Sequence, residues 1–256
     1  MWDHKYVIMF LTEIFEAATV PIVVIYPGRF QPFHKGHHRV FEYLTKKFGR
    51  DNVYIATSNK VAPPKSPFNF SQKAAMMRLT GVPMDRVVEA REPYRADEIL
   101  AKYPAETRVI YAVSEKDMAE DPRFAKFTKK DGSPSYFQPA PAKLKDMQNK
   151  EQHAYIMTVP TFEFTVLGQP MHSATELRRQ FAQADDATQR TIVQDLFGAF
   201  DQEVYAIMRD QIHEDAAGVG VVASKKQRKD PRYLNSLTVD VQPGTQRKMM
   251  KALRLI

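Results

Sequence analysis

The chain has 256 residues, 43% hydrophobic and 26% charged, enough apolar content for one large domain with appendages and too much for a wholly disordered chain. It has no cysteine, which excludes disulfides, thiolate zinc sites, Fe–S clusters and cysteine nucleophiles and leaves any chemistry to His, Lys, Arg, Ser, Thr and carboxylates. The net charge of +7 lies wholly after Ser224, where nine basic residues face only Asp230 and Asp240, so the body is neutral and is not a basic nucleic-acid-binding domain.

Residues 4–18 carry Tyr6, Val7, Phe10, Leu11, Ile14 and Phe15 at roughly helical spacing, which predicts a short amphipathic helix. Glu13 and Glu16 interrupt that stretch, and no run of about 18 apolar residues occurs elsewhere, so neither a targeting segment nor a membrane span is expected. Residues 20–26 form a β-branched run of the kind buried on both faces of a parallel sheet. An aromatic and proline-rich loop follows, then a helix over 37–48 with Val40, Phe41 and Leu44 on one face, and a strand over 53–57. Further on we read a Pro-rich loop over 59–70 and a helix over 71–80 capped by Ser71. A short strand at 86–89, a helix at 95–102 and a strand at 107–113 come next. Residues 119–150 read as a long loop or insertion. A strand at 154–159, a helix at 173–184 and a helical segment or pair over 186–212 complete the pattern. Alternating strands and helices predict an α/β, Rossmann-like doubly wound parallel sheet, with ligands beyond the carboxyl ends of the strands.

The first chemical constellation is Gly28-Arg29-Phe30-Gln31-Pro32-Phe33-His34-Lys35-Gly36-His37-His38. Three of the seven histidines sit beside an Arg and a Lys, between a buried strand and a helix start. A helix N-terminus offers free N–H groups and a partial positive charge, and Gly36 allows backbone to approach a ligand, so the segment suits a phosphate. His34, His37 and His38 would share a helix face as zinc ligands. Pro32 and Gly36 oppose helix at His34 and no carboxylate lies nearby, so no metal is assigned to them. The second constellation is His172-Ser173-Ala174-Thr175-Glu176-Leu177-Arg178. Ser173 with Glu176 forms a capping-box pattern, and Arg178, one turn in, could reach an anion at the helix terminus.

The string GRFQPFHKGH closely resembles the HxGH signature of the nucleotidylyltransferase superfamily, nearest to the form found in archaeal-type nicotinamide mononucleotide (NMN) adenylyltransferases. Ser173, Thr175 and Arg178 resemble the superfamily's second motif, S-x-T-x-x-R, with His172 as an unusual first residue. Lys65-Ser66-Pro67-Phe68 resembles its K-x-P-F loop, and the resemblance spans roughly residues 22–181. It implies a Rossmann-like domain over 20–185, preceded by the N-terminal helix (1–19) and followed by a helical segment (186–215) and a basic tail (216–256).

The same resemblance implies that His34 and His37 bind the triphosphate and stabilise the transition state, together with Arg178. Gly28, Arg29, Phe30, Gln31, Lys65, Ser173 and Thr175 then bind the nucleotide. The implied reaction is attack of an acceptor phosphate on the α-phosphorus of ATP, with CTP as the alternative, and release of pyrophosphate. Mg²⁺ enters mainly on the triphosphate oxygens. NMN is the first acceptor, giving NAD, but the usual Trp is missing, since the sole Trp is Trp2. Tyr94 stands where that Trp would fall and is an acceptor candidate with Lys73. Phosphopantetheine, flavin and sugar phosphates stay open as acceptors, as does a non-catalytic nucleotide-binding role exercised through the tail. Ser114-Glu115-Lys116-Asp117 follows a strand end and is a candidate wall of the nucleotide site.

Gly218–Ala223 fits the dinucleotide pattern G-x-G-x-x-A, but no strand precedes it and a lysine-rich segment follows, so it is set aside. The tail reads as a solvated appendage, with nucleic acid or an acidic protein as the functional alternatives. Its composition resembles tails on large-phage proteins, which would place a phage-encoded enzyme in its bacterial host's cytoplasm; otherwise a cytoplasmic enzyme is expected. Many members of the superfamily are oligomeric, and a homo-oligomer is open here.

Overall fold

The computed structural model describes residues 20–120, 126–171 and 173–212. All belong to one compact unit. The expected helix over 4–18, Trp2, His172, the glycine pattern near 220 and the basic tail lie outside the described residues. Among the described residues no helix is long and apolar enough to cross a membrane.

The strands are β1 (Ile22–Pro27), β2 (Val53–Thr57), β3 (Val87–Glu89), β4 (Arg108–Ser114), β5 (Phe137–Pro139) and β6 (Ala154–Val159). They form one sheet in the order β3-β2-β1-β4-β6-β5, and every pairing is parallel. The helices are α1 (Lys35–Phe48), α2 (Phe70–Leu79), α3 (Asp97–Leu100), α4 (Glu115–Glu120), α5 (Ala174–Gln183), α6 (Asp186–Phe197) and α7 (Gln202–Gln211). This is the Rossmann-like sheet that the alternating pattern predicts.

The continuous β-branched runs are explained by burial on both faces. Val24 and Tyr26 point into one core, with Val40, Phe41 and Leu44 of α1, Met76 of α2, Leu177 and Phe181 of α5, and residues of α6 and α7. Val23 and Ile25, one residue out of phase, enter a thinner core with Ile99 of α3 and Tyr111. The two layers are therefore unequal.

Several element bounds differ from expectation for local reasons. α1 starts at Lys35, two residues early, because His34 itself caps it, its Nδ1 accepting from the Gly36 N–H at 3.1 Å. α2 is capped by Asn69, not Ser71. Asn69 accepts from the Gln72 N–H while Gln72 accepts from the Asn69 N–H, both at 2.9 Å, a full capping box. α3 is four residues, half the expected length. The 119–150 segment is more than a loop: its Phe137–Pro139 piece is one of the sheet's two edge strands, where a proline is tolerated. The helical stretch 186–212 is a pair, broken at Gly198 in the left-handed region. A two-stranded ribbon unseen in the sequence, β7 (Thr165–Val166) with β8 (Gln169–Pro170), lies between β6 and α5.

Candidate active site

In this strand order the chain leaves β1 toward β2 on one side, while β4 flanks β1 on the other. The crevice between β1 and β4 is thus the topological switch point of the sheet. A cavity of about 910 Å³ opens there, floored by Tyr26 and Pro27 at the end of β1, by Gly28 just after it and by Ala112 and Ser114 of β4.

The β1–α1 loop is shaped by aromatic packing. Phe30 takes a positive φ of 48° and folds its ring back over Gly28. A Cβ on Gly28 would lie 2.5 Å from that ring, so only glycine fits. Phe30 then meets Tyr26, Phe33 and His37 edge-on, with centroids 5.3, 5.3 and 5.1 Å apart. His34 and His37, both lining the cavity, stack on each other at 3.8 Å. Burial holds both imidazoles neutral: His37 is pushed down to about 3, and His34 falls well below its usual value through burial, then the neighbouring His37 and Lys35. His37 Nδ1 is buried without a hydrogen-bond partner, which leaves Nε2 as the nitrogen that can serve a ligand. His38 faces elsewhere, with Nδ1 3.7 Å from Glu42 on the outer side of α1.

The second motif meets the first in space. Ser173 caps α5 by accepting from the Glu176 N–H at 3.4 Å, and it lines the cavity. The reciprocal half of the expected capping box is replaced, because the Glu176 carboxylate turns to Arg179 at 2.6 Å and Gln180 at 3.0 Å. Arg178 is buried, its guanidinium donating to the Gln31 carbonyl at 2.6 Å and to Thr175 Oγ1 at 3.4 Å. Among the described residues no carboxylate pairs with it. Burial, and then the nearby Arg29, bring its pKa down. Two helix starts therefore bring two imidazoles and Ser173 to the crevice beside Arg29, with the Arg178 guanidinium buried behind the wall.

The other residues singled out in the sequence are placed as follows. Gly28, Arg29 and Phe30 line the cavity, Arg29 as an exposed cation. Gln31 lies behind the wall and clasps the Pro-rich loop, donating to the Phe68 carbonyl and accepting from the Phe68 N–H, both at 2.9 Å. Thr175 is exposed and not in the wall. Lys65 is exposed and also outside the wall. Lys73 does not reach the cavity: it is 1% exposed, and its Nζ donates to Thr57 Oγ1 at 2.7 Å and to the Ser58 carbonyl. Burial pushes that amine down to about 8 against the opposing pull of Glu89. Tyr94 lines the cavity, near Tyr26, whose phenol is pushed up by burial and then by Asp117. Ser114 and Asp117 also line it, with Ser114 Oγ donating to the Asp117 carboxylate at 2.8 Å.

Sequence reasoning missed Tyr26, Lys60 and Arg91, and the segment 160–164 after β6, all of which line the cavity. The signal for that segment was present, since in a parallel sheet every loop leaving a strand's carboxyl end next to the switch point is a candidate wall. Among the described residues no group of His, Asp and Glu converges as a metal-holding set.

Residues 25–180, more than half of the chain, match the family model described as Cytidylyltransferase-like. Nicotinamide-nucleotide adenylyltransferase 1 of Sulfolobus acidocaldarius is 31% identical over 68 residues, 25% of this chain and 39% of that protein. Nicotinamide-nucleotide adenylyltransferase of Saccharolobus solfataricus is 33% identical over 63 residues, 24% of this chain and 37% of that protein. The matched stretches thus span less than half the length of these relatives. Among solved structures, a bifunctional NMN adenylyltransferase/ADP ribose pyrophosphatase from Francisella tularensis aligns with a TM-score of 0.44 at 17% identity, covering 78% of this chain and 52% of that one. A putative nicotinate-nucleotide adenylyltransferase from Vibrio parahaemolyticus aligns with a TM-score of 0.39 at 12% identity, covering 76% and 99%.

Proposed function

The chain belongs to the cytidylyltransferase-like family, and from that premise we propose that it is an adenylyltransferase that moves AMP from ATP to a phosphate-bearing acceptor. NMN is the foremost acceptor, giving NAD and pyrophosphate. The observation that carries this reading is the meeting of the His34–His37 pair and the Ser173 helix start at one switch-point cavity. The named archaeal relatives support NMN and ATP over other pairs.

The acceptor phosphate is ionised at neutral pH and needs no general base. It attacks the α-phosphorus in line, and negative charge grows on the equatorial oxygens and on the departing pyrophosphate. Catalysis is then positioning and charge stabilisation by fixed donors. His37 donates from Nε2 to the transferring phosphate, and His34 stands beside it. Arg29 and Ser173 hold the outer phosphates, and Lys65 reaches them from the Pro-rich loop as a mobile point charge. Arg178 acts from behind the wall, keeping the two loops in register and adding its field. Tyr94 and Tyr26 face the acceptor. Mg²⁺ supplies charge neutralisation on the triphosphate. The two motifs offer cations and imidazoles, so the ion would take most of its ligands from phosphate oxygens and water, and the carboxylates available in the cavity wall are Glu92, Asp117 and Glu163.

Pyrophosphate release by the purified chain, with ATP or CTP against NMN, nicotinate mononucleotide, phosphopantetheine, a flavin nucleotide and sugar phosphates, tests the reading. ATP with NMN is expected to give the largest kcat/KM. Release no faster than the blank with every pair would leave only a binding or structural role.

Gly36 gives a sharper check on the wall. A Cβ there would lie 3.0 Å from His34 Cε1, 3.1 Å from His34 Nδ1 and 3.1 Å from Phe164 Cδ1. Alanine is about 1 kcal/mol better than glycine inside a helix, which offsets much of the crowding in stability. The His34 ring must still shift. Gly36→Ala is therefore expected to leave the unfolding midpoint nearly unchanged and to lower kcat about tenfold or more, since small misplacements of reacting groups are costly. Unchanged kcat would show that His34 tolerates displacement.

A further inference from the structure

The ribbon β7–β8 and its flanks form a strap that the reaction as described does not use. Its first part, residues 160–164, lines the cavity. Two cations from the first turns of α1 hold it down: Lys35 Nζ donates to the Thr165 carbonyl at 3.2 Å and Arg39 donates to the Glu163 carbonyl at 3.1 Å. At its far end the Leu167 N–H donates to the Asp195 carboxylate of α6 at 2.8 Å. The Met171 N–H closes the strap on the Phe164 carbonyl at 3.0 Å. Every one of these bonds is made outside the reaction, and together they deliver one side chain. Phe164, 9% exposed, lies with its ring centroid 4.2 Å from that of His34.

His34 is thus covered on both faces, by Phe164 and by His37. Its Nδ1 accepts from the Gly36 N–H, so that nitrogen carries no proton and the neutral ring's single N–H is at Nε2. We propose that Phe164 is a positioning residue: the strap presses it on His34 so that this imidazole stays in one orientation and one neutral tautomer, offering Nε2–H to the nucleotide. The proposal rests on the adenylyltransferase reading for what His34 serves, but the clamp itself is a property of the free protein.

The physical consequence is specific. A protonated imidazole cannot accept from Gly36, so charging His34 would break the cap of α1 and turn the ring out of place. The groups that act on the ring are the neutral His37 and the Lys35 ammonium, both from α1, and Arg29 of the β1–α1 loop lines the same cavity. Glu163 on the strap is exposed and, with Glu92 and Asp117, is one of the carboxylates of the same cavity wall. His37 and Lys35 oppose protonation; so does the apolar cover of Phe164. With that cover removed, water reaches the ring and its pKa moves back toward the ordinary 6.5, so the neutral form is lost as pH falls through that range.

The test uses full-length protein labelled with ¹⁵N in histidine, without substrate. Wild type is expected to show the Nε2–H signature for His34 throughout pH 5–8. In Phe164→Leu, which keeps apolar volume but not the ring, His34 is expected to titrate within that range, its midpoint rising by about one unit or more. In the same variant kcat is expected to fall about tenfold at pH 6 and less at pH 8, with the KM for ATP changed by about threefold or less. Phe164→Tyr, which keeps the ring, should restore the signature and most of kcat. Phe164→Met is the second apolar variant and should behave as Leu does. A His34 signature identical in wild type, Leu and Met variants would overturn the proposal. So would equal loss of kcat at all pH values with the signature unchanged, which is what simple core damage gives. If wild type turns over no nucleotide pair, the adenylyltransferase reading fails while the spectra still decide the clamp.

Discussion

Replacing His37 by alanine is expected to lower kcat by about two to three orders of magnitude, while the KM for ATP changes by about threefold or less. The imidazole lines the cavity and is fixed on three sides by Phe30, Phe33 and His34, so it costs no reorganisation when charge develops on the transferring phosphate. Losing such a donor removes an interaction made mainly in the transition state, which is why kcat carries the effect. The pH dependence follows from the same burial. With His37 pushed down to about 3 and His34 well below its usual value, both rings are neutral from pH 5 to 8, and kcat should show no inflection near 6.5 from either. Stability behaves differently. In the unfolded chain these histidines take up protons near pH 6.5, and in the folded chain only far lower. The unfolded state therefore binds more protons between those values, and stability falls as pH drops through 6.5 toward 3. Steady-state kinetics with both substrates saturating, and denaturant titrations at pH 5 and 7.5, check both halves. Wild-type turnover by the His37→Ala enzyme would remove His37 from the mechanism, and an alanine variant with an unaltered pH slope of stability would deny its burial as the cause.

Arg178→Ala is expected to raise the KM for ATP about ten- to a hundredfold and to lower stability by about 1–3 kcal/mol. Two roles meet in one side chain. Its bond to the Gln31 carbonyl is the direct tie between α5 and the β1–α1 loop, and removing it leaves a buried carbonyl unpaired. Its charge, close to Arg29 and without a carboxylate partner among the described residues, is disfavoured by burial and by that neighbour, and on the proposed reading a bound triphosphate would relieve it. Arg178→Lys separates the roles. A lysine keeps the charge but has no planar fork to reach Gln31 and Thr175 together. It should recover part of the affinity and little of the stability. Urea titrations beside the kinetics make the comparison. An alanine variant that binds ATP as tightly as wild type would confine Arg178 to a structural bond.

Much of the candidate site could be read from local patterns. The run after Pro21 reads as a buried strand because every second side chain of a doubly covered strand must be apolar on each face. Ser173 stands out because a helix start needs a cap, and His34 and His37 because histidines cluster with an Arg and a Lys between a buried strand and a helix start, in a string that resembles a known signature. Those are properties of residues a few positions apart. Phe164 carried no such mark, being one phenylalanine in a stretch without periodicity. Tyr26 was read as a strand core residue, and only its place at the strand's carboxyl end turns it to the cavity. Lys73 is the opposite case. A lysine three residues into a helix suggests a solvated or ligand-facing charge, yet it is buried against Thr57 and Ser58 because α2 packs with that face on the end of β2.

From the sequence alone came the parallel α/β architecture, the position of the two motifs at helix starts and the cation- and imidazole-rich chemistry of those motifs, since each is set by hydrophobic period, capping and composition over short spans. Tertiary structure alone decided which side chains converge. Arg178 meets Gln31 across 147 positions of chain, and Phe164 covers His34 by way of a ribbon whose strands are two residues long. Such contacts depend on the order of strands and the path of loops, and the free energy that selects them is spread over the whole core, so no local pattern records them.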